Sequence, residues 1–169
     1  MAAQIYEQRL IDNNKRALIK WVYISDGTNS ANSTLLDVSS LKYALNTTGQ
    51  IMTGGTNKKS NYRITIKRIM GSIHTKNKGI AMIQWHGSAN TPIAVASDSF
   101  IDYNFHAMGD GAVIWNPESN TSGNILITTT GLSVGDVFTL FLDVRKDGRD
   151  YDQGQTADPA AFNYGPWGS

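Results

Sequence analysis

Residues 136–146 alternate between two kinds of side chain over the length of a complete strand. From 137 to 145 the even-numbered positions are large and apolar, whereas the odd-numbered positions are mixed in polarity. The two sets are Phe138, Leu140, Leu142 and Val144, and Val137, Thr139, Phe141, Asp143 and Arg145. A hydrophobic period of two predicts a β-strand with one buried face.

Other segments rich in β-branched and aromatic residues lie between clusters of turn residues, and each predicts a further strand. No stretch has the periodicity of a long helix; one helical turn is expected from Ser39/Ser40 through Ala44. The length of 169 residues fits one domain. We therefore predict an all-β fold, an antiparallel β-sandwich or jelly roll of about eight strands. The further strands are expected at 17–24, 35–38, 62–75, 80–85, 92–96, 100–105, 112–115 and 124–130.

The strand predicted at 62–75 changes phase part-way. Ile64 and Ile66 repeat with a period of two, but after Arg68 the repeat continues on Ile69, Gly71 and Ile73. A shift of one residue would turn the buried face outward, so we expect a β-bulge or a bend here. Residues 76–79 look like a hairpin turn, with 80–85 as the paired strand.

Composition divides the chain into an N-terminal arm (1–16), a sandwich domain (17–146) and an extended C-terminal arm (147–169). The C-terminal arm is rich in Gly, Pro and Asp, yet it carries four aromatic side chains. Such rings are typical of an arm that orders on a surface. That surface is either a partner subunit or the chain's own domain. The four rings are Tyr151, Phe162, Tyr164 and Trp167.

Positive and negative charges are unevenly spread. Residues 1–78 carry twelve Lys/Arg and four Asp/Glu, whereas residues 79–169 carry three and ten. The halves can neutralise each other in the fold, or the basic segment can bind an acidic protein surface. Nucleic acid is disfavoured because few aromatic residues accompany the basic ones. The basic residues predicted as protein contacts are Lys58, Lys59, Arg63, Lys67 and Arg68.

The motifs that carry chemistry are weak. Residues 131–135 match the G-x-S-x-G pattern around Ser133, but a strand follows them, so a hairpin loop is expected instead of a nucleophile elbow. The three histidines lack the spacing of metal ligands, and Cys is absent. We expect a protein that is not an enzyme and has no metal or cofactor. Trp21, Trp85 and Trp115 are expected in the core.

The first 20 residues are too charged for a signal peptide, and no apolar run has the length of a membrane span. A soluble protein made in a cytoplasm is expected, with no membrane partner.

Four segments resemble a family of small virion structural proteins of tailed bacteriophages, including cyanophages. They are 12–20 (DNNKRALIK), 83–85 (IQW), 123–131 (GNILITTTG) and 135–146 (GDVFTLFLDVRK). Phe138 stands where such proteins commonly have Tyr, and residues 147–169 extend beyond their usual end. The resemblance implies a virion component with no catalytic residues.

From this resemblance we expect a capsid cement or decoration protein that binds and stabilises the shell of the major capsid protein. It would form a homo-oligomer, for which a trimer is one arrangement, and would lie on the capsid surface after assembly in the host cytoplasm. The alternative is a lectin-like protein of the tail or fibre that binds a host surface glycan. An enzyme such as a depolymerase is disfavoured.

Overall fold

The computed structural model describes residues 3–108 and 114–154, which form two antiparallel sheets packed face to face. The first sheet has the order β1-β2-β10-β4-β7, with β8 beside β4, and the second has the order β3-β9-β5-β6. The all-β sandwich class is confirmed. The strands are β1 Gln4–Asp12, β2 Arg16–Asp26, β3 Ser33–Leu36, β4 Ile64–His74, β5 Ile80–Trp85, β6 Pro92–Ser97, β7 Phe100–Asn104, β8 Ile114–Trp115, β9 Ile125–Thr130 and β10 Val134–Lys146.

Strand β10 lies in the middle of the first sheet, between β2 and β4. Its alternating pattern is the reason, because Phe138, Leu140, Leu142 and Val144 are all buried between the sheets. Phe138 stacks on Tyr23 of β2 with 4.5 Å between ring centroids. Full burial of such side chains contributes about 1.5–3 kcal/mol each, so this strand anchors the core.

The expected irregularity in β4 is a bulge at Lys67. Asp143 of β10 pairs with Arg68, and the next residue, Val144, pairs with Ile66. Between these two pairs, β4 contains one additional residue, Lys67, that has no partner on β10. The bulge keeps Ile64 and Ile66 on the same buried face as Ile69 and Ile73.

The prediction that 76–79 closes a hairpin is wrong. Both edges of β4 are occupied, by β10 on one side and by β7 and β8 on the other, so β5 pairs instead with β6 and β9 in the second sheet. The loop at 131–133 also crosses between sheets instead of forming a hairpin, since β9 and β10 lie in different sheets. The two connections between the sheets, 76–79 and 131–133, lie against each other. A Cβ on Gly79 would lie 2.8 Å from the carbonyl oxygen of Gly131.

Residues at both ends of the sandwich domain pack onto it. Most of the predicted N-terminal arm is strand β1, paired with β2 at the edge of the first sheet. At the other end, Tyr151 is fully buried, and its hydroxyl donates to the carbonyl oxygen of Val38 at 2.7 Å. Strand β1 is therefore part of the first sheet, and the segment around Tyr151 is part of the packed core.

A buried cation joins these two ends. The Nζ atom of Lys146 donates to a carboxylate oxygen of Asp12 at 2.5 Å and to the carbonyl oxygens of Asn13 and Lys42 at 2.7 and 2.8 Å. It also lies 5.3 Å from the ring centroid of Tyr151. Burial lowers the pKa of Lys146, an effect that the hydrogen bond and charge of Asp12 oppose. All three ammonium protons have an acceptor.

Candidate functional site

A cavity of about 710 Å³ opens at one end of the sandwich. Its wall combines the start of β4, the end of β5, strand β8 and the segments around 116–123 and 145–153. Indole, guanidinium, ammonium and amide groups all contribute to it. Its lining includes the side chains of Asn61, Lys67, Trp85, Trp115 and Arg145.

Trp115 is 65% exposed, which corrects the expectation that it lies in the core. The register of the short edge strand β8 explains the difference. Ile114 pairs with Ile66, whose side chain is buried, so Trp115 pairs with Thr65 on the opposite, outward face. Trp21 and Trp85 are buried, as predicted.

A row of side chains crosses the first sheet at the mouth of the cavity. Trp115 pairs with Thr65, Thr65 with Arg145, and Arg145 with Arg16. Directly opposed residues on antiparallel strands project from the same face, with Cβ atoms about 4.5–5.5 Å apart. An exposed indole and two guanidinium groups therefore share one short row.

Two cations of the cavity have no ion pair or hydrogen bond through their side chains within 3–108 and 114–154. They are Lys67, on the bulge of β4, and Arg145, on β10. Both also line an adjoining cavity of about 360 Å³, where Arg16 is held by Asp143 at 2.8 Å. The charge of Lys67 and Arg145 thus remains available at the junction of the two cavities.

Two polar atoms of residues in the cavity wall are buried and unpaired among the described residues. They are Nε1 of Trp85 and Oδ1 of Asn61. A buried polar group without a partner costs about 1–3 kcal/mol. Neither atom has appreciable solvent-accessible area, so a ligand in the cavity would reach either one only after the wall moved.

Four of the five basic residues predicted as protein contacts are bound within the chain. Arg63 and Lys59 both contact the buried carboxylate of Asp150, at 2.8 and 3.1 Å. Lys58 lies 3.4 Å from Asp37, and Arg68 lies 2.7 Å from Asp102. Lys59, Arg63 and Arg68 thus pair with the acidic half of the sequence, whereas Lys58 pairs within the basic half. Lys67 alone of the five keeps an unpaired charge in the part of the chain described.

The aromatic side chains predicted to dock divide into two groups. Tyr151 is buried in the chain's own core, so its ring is not available to a partner. Phe162, Tyr164 and Trp167 lie outside the described residues.

The outward face of the first sheet is a second candidate surface. One row across it pairs Tyr6, Val22, Thr139, Ser72 and Phe100 in succession from β1 to β7. Tyr6 and Phe100 are 57% and 70% exposed. Five further apolar side chains lie beside this row, those of Leu18, Ile24, Met70, Val137 and Phe141. The same face also carries Lys20 and the ion pairs Arg16–Asp143 and Arg68–Asp102, so it is mixed in polarity.

Strand β1 forms the edge of that face, and its side chains are exposed to solvent on both faces of the sheet. Six consecutive residues, from Ile5 to Leu10, are exposed. The far edge of β1 has no strand partner among the described residues. Such an edge can accept another strand.

His74 and His86 do not come together in the structure. His74 is at the exposed end of β4, whereas His86 follows β5 of the other sheet, with its Nδ1 atom 3.1 Å from the hydroxyl of Ser122. Within 3–108 and 114–154, no three His, Cys, Asp or Glu side chains are grouped so that they could hold a metal ion.

Comparison with protein-family models, with curated proteins and with solved structures gave no match to this chain. Among the described residues, no helix has both the length and the apolar character needed to cross a membrane.

Acid is expected to destabilise the fold through its hydrogen-bonded carboxylates. The hydrogen bond from Thr91 lowers the pKa of Glu118, and that from Arg149 lowers the pKa of Asp147. Burial raises the pKa of Asp37, but the hydrogen bonds from Ser39 and the charge of Lys58 lower it by more, so the pKa of Asp37 is also below its ordinary value. A carboxyl group with a lower pKa when folded stabilises the protein above its unfolded pKa of about 4 and loses that effect as pH falls through the folded value.

We therefore expect the free energy of unfolding to change little between pH 7 and pH 5 and to fall below about pH 4. Urea titrations at several pH values from 7 to 2.5 would measure it. A free energy of unfolding that stays constant down to pH 2.5 would contradict this prediction.

Proposed function

We propose that the protein is a structural component of a tailed-phage virion, a capsid decoration protein that binds the shell of the major capsid protein and stabilises it. The phage assignment rests on the resemblance of residues 12–20 and 123–146 to small virion proteins. The observation that supports docking is the outward face of the first sheet, which exposes Tyr6 and Phe100 beside other apolar side chains and continues into the open edge of β1.

The size of this face suits a protein interface. Five strands about 4.8 Å apart and about ten residues long, at about 3.3 Å per residue, cover roughly 800 Å². A standard stable interface buries about 800 Å² on each partner. The face is therefore large enough for one specific contact, and β1 adds backbone donors and acceptors at its margin.

Repetition would strengthen a modest contact. A capsid presents the same surface many times, and a homo-oligomer, such as a trimer, would engage several copies together. The structure of the single chain changes the proposed contact from the basic segment to the sheet face, because most of the basic side chains are already paired.

Tyr6→Asp is expected to weaken binding to empty shells of the encoding phage at least tenfold, which corresponds to about 1.4 kcal/mol. The charge would lie at the margin of the proposed interface, where the sheet face meets the open edge of β1. Val95→Asp is the matched control, because Val95 is a similarly exposed apolar residue on the second sheet. Cosedimentation with shells measures the affinity of both variants.

Equal affinity of the two variants would contradict the assignment of the interface. Copy number tests the location itself. Hundreds of copies per particle fit a shell protein, whereas a handful to a few tens would place the protein in the tail, portal or vertex and overturn the decoration role.

A further inference from the structure

The end cavity has a composition that the docking role does not require. It brings together an exposed indole, two unpaired cations and two unsatisfied buried polar atoms, none of which lies in the middle of the proposed docking face. We propose that this cavity binds an acidic saccharide, a chain of sugars that carries carboxylate groups. The inference does not depend on where in a virion the protein is placed.

Trp115 provides the surface for a sugar ring. An indole that is 65% exposed on a two-residue strand contributes little to the core, yet it presents a flat apolar face at the mouth of the cavity. The C–H groups on one side of a pyranose ring form a matching flat apolar surface, while its hydroxyl groups point outward. A large aromatic ring with one polar edge suits such an amphipathic ligand.

Lys67 and Arg145 provide the charge. Neither makes an ion pair with any described residue, and Arg145 is separated from Trp115 by only Thr65 in the cross-strand row. A guanidinium group can bind a carboxylate through two parallel hydrogen bonds, and an ammonium group adds a second positive charge without a fixed geometry. A uronate carboxylate is therefore a better ligand than a neutral sugar.

The wall of the cavity favours hydroxyl groups. Glu118 is occupied by hydrogen bonds from the backbone of Ala89 and from Thr91, and Asp147 is occupied by Arg149. The charge of Asp147 is thus neutralised by Arg149, whereas Glu118 keeps its charge because its donors are neutral groups. A hydroxyl group that reaches Trp85 Nε1 or Asn61 Oδ1 after a small side-chain movement would satisfy a polar atom that has no described partner.

The size of the cavity limits the ligand. A volume of about 710 Å³ lies within the usual range of ligand pockets, about 300–1,000 Å³, and the adjoining cavity of about 360 Å³ shares Lys67 and Arg145 with it. Two or three sugar residues would fill this space. A longer chain would extend past Arg16 along the sheet.

Calorimetric titration of the full chain with an oligouronate (an alginate hexamer) and a neutral hexamer (maltohexaose) tests the proposal. We expect the uronate to bind with an affinity that falls as salt is added, and the neutral sugar to bind at least tenfold more weakly. Trp115→Ala and Arg145→Ala should each weaken uronate binding at least tenfold.

Two variants serve as matched controls. Phe100→Ala removes an equally exposed aromatic ring, and Arg68→Ala removes a cation of β4, both outside the cavity. Each should leave uronate binding within twofold of the unmodified protein. Thermal unfolding of all four variants would establish that any loss of binding is not a loss of fold.

Three results would overturn the proposal. The first is no uronate binding at millimolar concentration, and the second is equal loss in the control and cavity variants. The third is tighter binding of a thymidine oligonucleotide, lost on Arg145→Ala, which would identify a general polyanion site. None of these results depends on shell binding, so the docking role stands or falls separately.

Discussion

Asp12→Ala is expected to lower the free energy of unfolding by about 3–5 kcal/mol, because it leaves the buried ammonium of Lys146 without its carboxylate. The side chain of Lys146 is fully buried, and that of Asp12 is nearly so. The two carbonyl oxygens that remain cannot replace a negative charge. The same carboxylate also accepts the backbone N–H of Lys42, so a second donor loses its partner.

Asp102→Ala is the matched control for this substitution. It removes a carboxylate that pairs with Arg68 at 2.7 Å on the exposed face of the first sheet. Exposed ion pairs contribute little to stability, so this variant should unfold at nearly the urea concentration of the unmodified protein. If the two variants lose equal stability in urea titrations, the Lys146 pair does not hold the ends of the domain together.

Gly123→Ala is expected to cost about 2–5 kcal/mol, through two effects that add. The backbone φ of Gly123 is +83°, a left-handed conformation that costs a residue with a Cβ about 1–2 kcal/mol. A Cβ would also lie far inside the van der Waals distance of the carbonyl oxygen of Tyr62. Overpacking of this kind typically costs about 1–3 kcal/mol, since the backbone itself must move.

Gly49→Ala separates the two effects. Its φ is +81°, but no atom lies within 4 Å of the position that a Cβ would take. It should therefore cost only the conformational part, about 1–2 kcal/mol. Thermal or urea unfolding of both variants measures the difference, and equal losses would exclude the close approach to Tyr62 as a cause.

Local pattern was sufficient to predict most strands, because each depends on its own sequence. The alternation in β10, the bulge in β4 and the bounds of β5 and β9 follow from residues within a few positions. Pairing does not, since a short turn such as 76–79 can close a hairpin or cross to the other sheet. The choice depends on which strands already occupy the edges of β4, and these come from distant parts of the sequence.

The residues of the cavity likewise could not be predicted from local sequence pattern. The sequence identified Lys67 as a contact, but it grouped this residue with four cations that the fold pairs with Asp37, Asp102 and Asp150. Trp115 was expected in the core because tryptophan usually packs there. Only the register of a two-residue strand turns it outward. The unpaired polar atoms of Asn61 and Trp85 leave no signal in the sequence.

The position of β10 has a consequence for the order of folding. The last strand of the described chain holds the centre of the first sheet, between a strand that begins at Arg16 and one that begins at Ile64. During synthesis, β2 and β4 must remain without their shared neighbour until more than 130 residues have been made. Such long-range pairing slows folding and exposes strand edges meanwhile. The first sheet can therefore be completed only after its central strand has been made.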